Sequence, residues 1–210
     1  MSKLQDVENA VVSGKSKLVA GLVQEALDEG CSAPDILNGM INAMGIVGER
    51  FKKNEIFVPE MLVAARAMKK GVDVLKPHLA SGSAGVCGKA IIGTVAGDLH
   101  DIGKNLVAMM IESAGFEVID LGVDVPVEKF IETVKANPDV KIVGSSALLT
   151  TTMPAVKSTV EALNAEDFRS HIKVMVGGAP ITQEFANEIG ADAYTPDAAS
   201  AAQKAKELVA

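Results

Sequence analysis

His100 follows Asp98 by two positions in the run Ala96-Gly97-Asp98-Leu99-His100-Asp101-Ile102-Gly103. An imidazole offered from a loop is a good ligand for a transition metal, and a neighbouring carboxylate can orient the ring and polarise its far nitrogen. The same pair can store a proton. It also fits a purely structural arrangement, in which Asp98 caps the following helix and His100 bonds only the backbone; for an arbitrary Asp-x-His that arrangement is the commoner one. A free-standing zinc or iron centre is not indicated, because the local ligands are His100, Asp98 and Asp101, with no second His or Cys nearby in sequence. One protein ligand suffices only where the metal brings its own macrocycle.

The elements that must position this loop are legible in the hydrophobic pattern. Short β-branched runs at 90–95, 117–120, 142–146, 174–177 and 193–194 alternate with helical runs at 102–114, 127–136, 154–163, 183–189 and 198–209. Strands apolar on both faces and separated by helices predict a doubly wound, five-stranded parallel sheet of the flavodoxin-like (Rossmann-type) α/β class. In such a sheet ligands bind outside the carboxyl ends of the strands, where the strand order reverses. For the flavodoxin-like order that point lies between the first and third strands. The loops there are the Asp98–His100 run and Ser146-Ala147-Leu148-Leu149-Thr150-Thr151-Thr152.

The N-terminal part has another period. From Lys3 to about Ala80, Leu, Val, Ile and Met recur at helical spacing, with Gly14 and Gly30-Cys31 as punctuation. Ser32-Ala33-Pro34-Asp35 reads as an N-cap, a first-turn Pro and an acidic third position, and Pro59 opens a further helix that ends near Lys76-Pro77. Four helices with short connections predict a four-helix bundle. Ser81-Gly82-Ser83-Ala84-Gly85 has linker composition, so the expected organisation is a helical cap domain at 1–83, a linker at 84–88 and a ligand-binding domain at 89–210.

Composition narrows the function classes. A net charge of -7 argues against a nucleic-acid partner, which would require clustered Lys and Arg on the phosphates. No Trp and a single Tyr remove the stacking platforms of single-strand binders. The opening MSKLQDVENAVVSGKSKL is too polar for a secretory core and no apolar run is long enough to span a bilayer, so no membrane partner and a cytoplasmic location are expected. Cys31 and Cys87 belong to no Cys pair or Cys/His cluster and read as reduced thiols.

The run Gly93-Thr94-Val95-x-Gly97-Asp98-x-His100-Asp101-Ile102-Gly103-Lys104-Asn105 resembles the cobalamin-binding domain of methionine synthase and of the corrinoid proteins of methyltransferase systems. Ser146-Ala147-Leu148-Leu149-Thr150 resembles the family's segment after the third strand, and Gly177-Gly178-Ala179 its Gly-Gly segment after the fourth. The resemblance implies a cobalamin or related corrinoid, in the methylcobalamin form, bound with its own lower base displaced. His100 is then the cobalt ligand, Asp98 its partner, and Thr152 the hydroxyl donor to Asp98. It implies cofactor contacts from Gly97, Leu99, Asp101, Ile102, Gly103, Ser146, Leu148, Thr150, Gly177, Gly178 and Ala198, the last within Tyr194-Thr195-Pro196-Asp197-Ala198. Glycines at 103, 144, 177 and 178 would let a bulky nucleotide tail approach the backbone, although tight turns use glycine too. Phe57-Val58-Pro59-Glu60-Met61, with Met68 and Leu75-Lys76-Pro77, is similar to the helical bundle that caps methylcobalamin in those proteins. Phe57 and Met61 read either as core residues or as an apolar lid over the methyl group.

What the resemblance implies about activity is a carrier: a methyl group is accepted on Co(I) from a substrate:corrinoid methyltransferase and presented to a second, corrinoid:tetrahydrofolate or thiol methyltransferase, with a reductive activase as a further partner. Methanol, a methylamine, a betaine or an aromatic methyl ether are the candidate donors. The length leaves no room for the folate, homocysteine or zinc domains of a whole methionine synthase. The alternative is the small subunit of an adenosylcobalamin-dependent mutase, which shares Asp-x-His-x-x-Gly but lacks the capping bundle. A B12-dependent regulator would need a basic DNA-binding module, and none is evident.

Overall fold

The computed structural model describes residues 2–79 and 87–210. Of the linker expected at 84–88, and of the Ser81-to-Gly85 run behind it, only Cys87 and Gly88 fall within the described residues. The chain divides into two compact units, one built on the N-terminal helices and one on the sheet.

The helical unit contains α1 (Lys3–Val12), α2 (Ser16–Asp28), α3 (Ala33–Lys52) and α4 (Val58–Leu75). Local chemistry sets their ends. Gly14 and Gly30 take the left-handed backbone, at φ 64° and 89°, and let the amides of Lys15 and Cys31 bond back to the carbonyls of Ala10 and Ala26 at 2.8 and 2.9 Å. Asn54 closes α3 in the same way at φ 57°. Ser32 caps α3 by accepting the Asp35 amide at 3.2 Å, as its position in the sequence predicts, and Glu60 reaches back to accept the Phe57 amide at 3.1 Å. α1 packs on α2 and α3, and α4 on α2 and α3. Val7, Val19, Ile36, Met40, Met68 and Leu75 are buried between them, each worth about 1.5–3 kcal/mol of transfer free energy.

The second unit alternates strand and helix: β1 (Gly88–Thr94), α5 (Ile102–Ser113), β2 (Phe116–Asp120), α6 (Val127–Ala136), β3 (Val140–Ser146), α7 (Met153–Asn164), β4 (Lys173–Gly177), α8 (Gln183–Glu188), β5 (Ala193–Tyr194) and α9 (Ala198–Val209). The strands form one parallel, five-stranded sheet in the order β2-β1-β3-β4-β5. The order reverses between β1 and β3, which puts the Asp98–His100 loop and the 146–152 loop side by side at the carboxyl edge. Alternation then sorts the side chains. Ile91, Val143, Val174 and Val176 face a core filled by Phe130 and Val134 of α6 and Val156, Val160 and Leu163 of α7. Ala90, Ile92, Ile142 and Met175 face the other way and are also buried. Right-handed crossovers leave α5 and α9 to cover that second face. The fold is the doubly wound sheet preceded by helices that the pattern of periods predicts.

Helix packing in the first unit is close at Gly71. A Cβ there would lie 2.5 Å from Met40 Sδ and 2.9 Å from Val19 Cγ1, whereas one at Gly21 would meet nothing within 4 Å. Gly71→Ala should therefore lower the thermal midpoint: overpacking costs about 1–3 kcal/mol, more than the roughly 0.8–1.0 kcal/mol gained by placing Ala in a helix. Gly21→Ala should raise it. Equal rises in calorimetry of the two variants would show that α4 does not approach α2 and α3 this closely.

Candidate functional site

Asp98 sits at the reversal point with its side chain fully buried, and the chain surrounds it with donors. Oδ2 accepts the amides of Leu148 at 2.8 Å and Leu149 at 3.3 Å, and the Thr152 hydroxyl at 2.7 Å. Oδ1 accepts the His100 amide at 3.1 Å and lies 2.7 Å from His100 Nδ1. Burial pushes the carboxyl pKa up, but the bonds from the Leu148 amide, the Thr152 hydroxyl and the ring and amide of His100 outweigh it and hold Asp98 well below the usual carboxylate range. A carboxylate only accepts, so Nδ1 carries the hydrogen and the lone pair of the neutral ring is on Nε2. The His100 carbonyl is taken as well, accepting the buried Thr94 hydroxyl at 2.9 Å. Amide, carbonyl and Nδ1 are all engaged. Among the described residues no protein group bonds Nε2, and the side chain is half exposed.

This geometry separates the two readings of Asp-x-His. Helix α5 is begun by Asp101, whose carbonyl accepts the Asn105 amide at 2.7 Å and whose Oδ2 accepts the Asn105 side chain at 3.1 Å. Asp98 instead spans the two loops of the switch point. No group of three or more His, Cys, Asp or Glu among the described residues is placed to hold a metal ion. A metal on Nε2 would find no further ligand cluster among the described residues, which is the situation of a metal that brings its own macrocycle.

The surroundings accommodate such a group. Leu99 and Ile102 stand 71% and 79% exposed beside His100, and Leu148 and Leu149 are exposed on the facing loop, an apolar rim that needs a cover. Gly103, Gly144 and Gly177 have ordinary negative φ and no crowding. A Cβ at Gly103 would meet nothing within 4 Å, one at Gly144 would meet Ile92 Cγ1 at 3.6 Å and the Ile91 carbonyl at 3.8 Å, and one at Gly177 the Thr195 carbonyl at 3.5 Å, all ordinary contacts. Solvent reaches Gly144 and Ser146 although β3 is the middle strand. Missing side chains at these positions keep space open over the α5/α9 face of the sheet. Gly178 differs. At φ 124° its Cβ would collide with the Ala147 carbonyl oxygen, so the closeness of the two loops is sufficient reason for that glycine.

The structure thus brings Gly97, Asp98, His100, Ser146, Leu148 and Thr152 together. Thr150 is exposed in the turn over Thr150–Thr152, and Ala198 is the buried first residue of α9. Phe57 and Met61 belong to the helical unit, Phe57 at 61% exposure and Met61 at 1%.

A profile described as a B12 binding domain matches residues 88–204, and a second with the same description matches residues 4–76. The chain belongs to the B12-binding corrinoid proteins. It is 46% identical over 209 residues to a dimethylamine corrinoid protein of Methanosarcina barkeri, covering 99% of this chain and 97% of that one. A crystal structure of a cobalamin-binding protein from Desulfitobacterium hafniense DCB-2 superposes with a TM-score of 0.83 at 33% identity, covering 99% of this chain and 98% of the other. The methanol:cobalamin methyltransferase complex of Methanosarcina barkeri contains a chain that superposes with a TM-score of 0.84 at 28% identity, over 99% and 79% of the two chains. Membership of this family makes the macrocycle in question a corrinoid.

One residue of the corrinoid protein's site was silent in the sequence. Asp124, in the loop after β2, has its backbone at φ 53°; its Oδ1 accepts the Gly97 amide at 2.7 Å while its own amide donates to the Asp98 carbonyl at 2.9 Å. It clasps the peptide that carries Asp98. Only its proximity to Pro126 hinted at a special loop. Asp124→Gly keeps the backbone conformation and removes the acceptor, and should speed amide exchange at residues 97–100 by roughly ten- to a hundredfold, the value of one charge-assisted hydrogen bond. Asp124→Asn retains an acceptor without the charge and should fall between wild type and Asp124→Gly. Identical exchange in Asp124→Gly and wild type would rule out the clasp.

Proposed function

We propose that this corrinoid protein holds its cofactor through His100 Nε2 and serves as the methyl-carrying partner of a substrate methyltransferase. The observation that carries the reading is that every polar atom of His100 except Nε2 is engaged by the chain, with the buried Asp98 carboxylate behind Nδ1. When bound, the cobalt supplies the centre on which a methyl group is accepted and given up. The chain's own residues do the rest. Asp98 sets the tautomer and makes the imidazole a stronger donor. Thr152 and the 148–149 amides keep Asp98 charged. Leu99, Ile102, Leu148 and Leu149 would line the macrocycle, and the space at Gly103, Gly144 and Gly177 would take the nucleotide tail. Phe57 is one of several exposed apolar residues of the helical unit.

Full-length likeness to a dimethylamine corrinoid protein, helical unit included, supports the carrier over the mutase subunit and points to a methylamine as the donor class. The structural relative in a methyltransferase complex supports a substrate methyltransferase as partner. A second, folate- or thiol-directed methyltransferase and a reductive activase complete the proposed set. Among the described residues no helix is long and apolar enough to cross a membrane.

Electron paramagnetic resonance of the cobalt(II) form tests the ligand. Labelling the protein with heavy nitrogen should change the axial superhyperfine pattern, and His100→Ala should abolish that dependence. A pattern that follows the cofactor's own base in both proteins would refute His100 as ligand.

Gly103→Ala tests the tail space independently. Because α5 starts there and nothing is crowded, the apo-protein should be as stable as wild type or up to about 1 kcal/mol more stable. Its affinity for hydroxocobalamin in a spectral titration should nevertheless fall. Unchanged affinity would mean that the tail does not pass Gly103.

A further inference from the structure

Thr94, the last residue of β1, is fully buried between the two loops of the site and belongs to neither. Its backbone is fixed on both sides: the amide donates to the Gly122 carbonyl at 3.0 Å and the carbonyl accepts the Val125 amide at 3.0 Å. The hydroxyl lies 2.9 Å from the His100 carbonyl and 3.1 Å from Ser146 Oγ. A hydroxyl has one hydrogen and a carbonyl can only accept. Thr94 must therefore donate to His100, and Ser146 must donate to Thr94. The order of hydrogens is Ser146 to Thr94 to the His100 carbonyl.

We infer that Thr94 is a positioning residue that couples the nucleotide-tail side of the site to the ligand loop. The inference rests on the proposed seating of a corrinoid on His100 with its tail beside Ser146. Ser146 spends its hydrogen on Thr94 and presents only lone pairs to the cleft. A tail group that donates to Ser146 lengthens the chain of hydrogen bonds and strengthens each link by polarisation, by roughly 10–30%. A tail group that accepts must draw the hydrogen away from Thr94, and the link to His100 weakens. Either way, what the tail does at Ser146 reaches the backbone of the metal ligand through a single buried oxygen. The arrangement also pre-sets Ser146 before any cofactor arrives, which removes part of the ordering cost of binding.

Two probes separate this role from a merely structural one: hydroxocobalamin, which has the nucleotide tail, and diaquocobinamide, which lacks it. In wild type the tail should raise affinity by some factor, read as the ratio of the two dissociation constants. Thr94→Val, close in shape but without the hydroxyl, should reduce that factor roughly tenfold, the value of one hydrogen bond. Thr94→Ser should restore it. Ser146→Ala should reduce it similarly, and the double variant should lose little more, because residues in one network are not additive. A factor unchanged in Thr94→Val, a failure of Thr94→Ser to rescue, or additive losses in the double variant would each overturn the inference, whatever happens to the melting temperature.

Should Thr94→Val not fold, Ser146→Ala loaded with cobinamide decides. That probe offers the serine nothing, so a cobalt(II) protein-nitrogen splitting that departs from wild type must be transmitted by Thr94, and an unaltered splitting overturns the coupling. If wild type itself shows no protein-nitrogen splitting, it is the seating on His100 that fails, not the coupling.

Discussion

A carboxylate buried without solvent is expensive unless its lone pairs are satisfied, and the switch point of this sheet is organised around one that is. Asp98 accepts from Leu148, Leu149 and Thr152 on one oxygen and from the amide and ring of His100 on the other. These donors come from two loops that are neighbours only because β1 and β3 are adjacent in the sheet. Charge-assisted bonds of about 1.5–3 kcal/mol each outweigh the desolvation, and the same bonds fix the loops to each other. Ligand orientation and loop closure are therefore one interaction, and neither can be altered alone.

The glycines of the site divide by physical cause. Gly178 is required by the protein itself, since its φ and the Ala147 carbonyl leave no place for a Cβ. Nothing among the described residues requires Gly103 or Gly144: both have ordinary backbone and room for a methyl group. That space lies beside exposed Leu99 and Ile102 and is open to a large ligand. One free imidazole nitrogen, with no cluster of further ligands among the described residues, suits a metal that brings its own macrocycle.

Much of this was legible along the chain because it depends on local periods. Gly14, Gly30 and Ser32 mark helix ends by the hydrogen bonds their own neighbours make, and they do so in the structure. The alternation of apolar strands with amphipathic helices predicted the sheet, its order and the pair of loops at its reversal. Residue types alone named Asp98 and His100, and Thr152 entered by resemblance; the distances place all three in one network.

What the sequence could not reveal are the bonds between segments far apart along it. Whether Asp98 caps a helix or orients an imidazole is undecidable from Asp-x-His; it is settled by Asp101 standing at the start of α5 and by amides fifty and fifty-one residues away reaching Asp98. Asp124 and Thr94 act through backbone amides and carbonyls, which every residue possesses and no composition reports. The hydrophobic pattern is a one-dimensional record of which face is buried, so it determined the elements, their order and the residue types that carry the chemistry. Hydrogen-bond direction and the crowding around a missing Cβ are properties of atoms brought together by folding, so only the tertiary structure decided which of those residues hold the site and which leave it open.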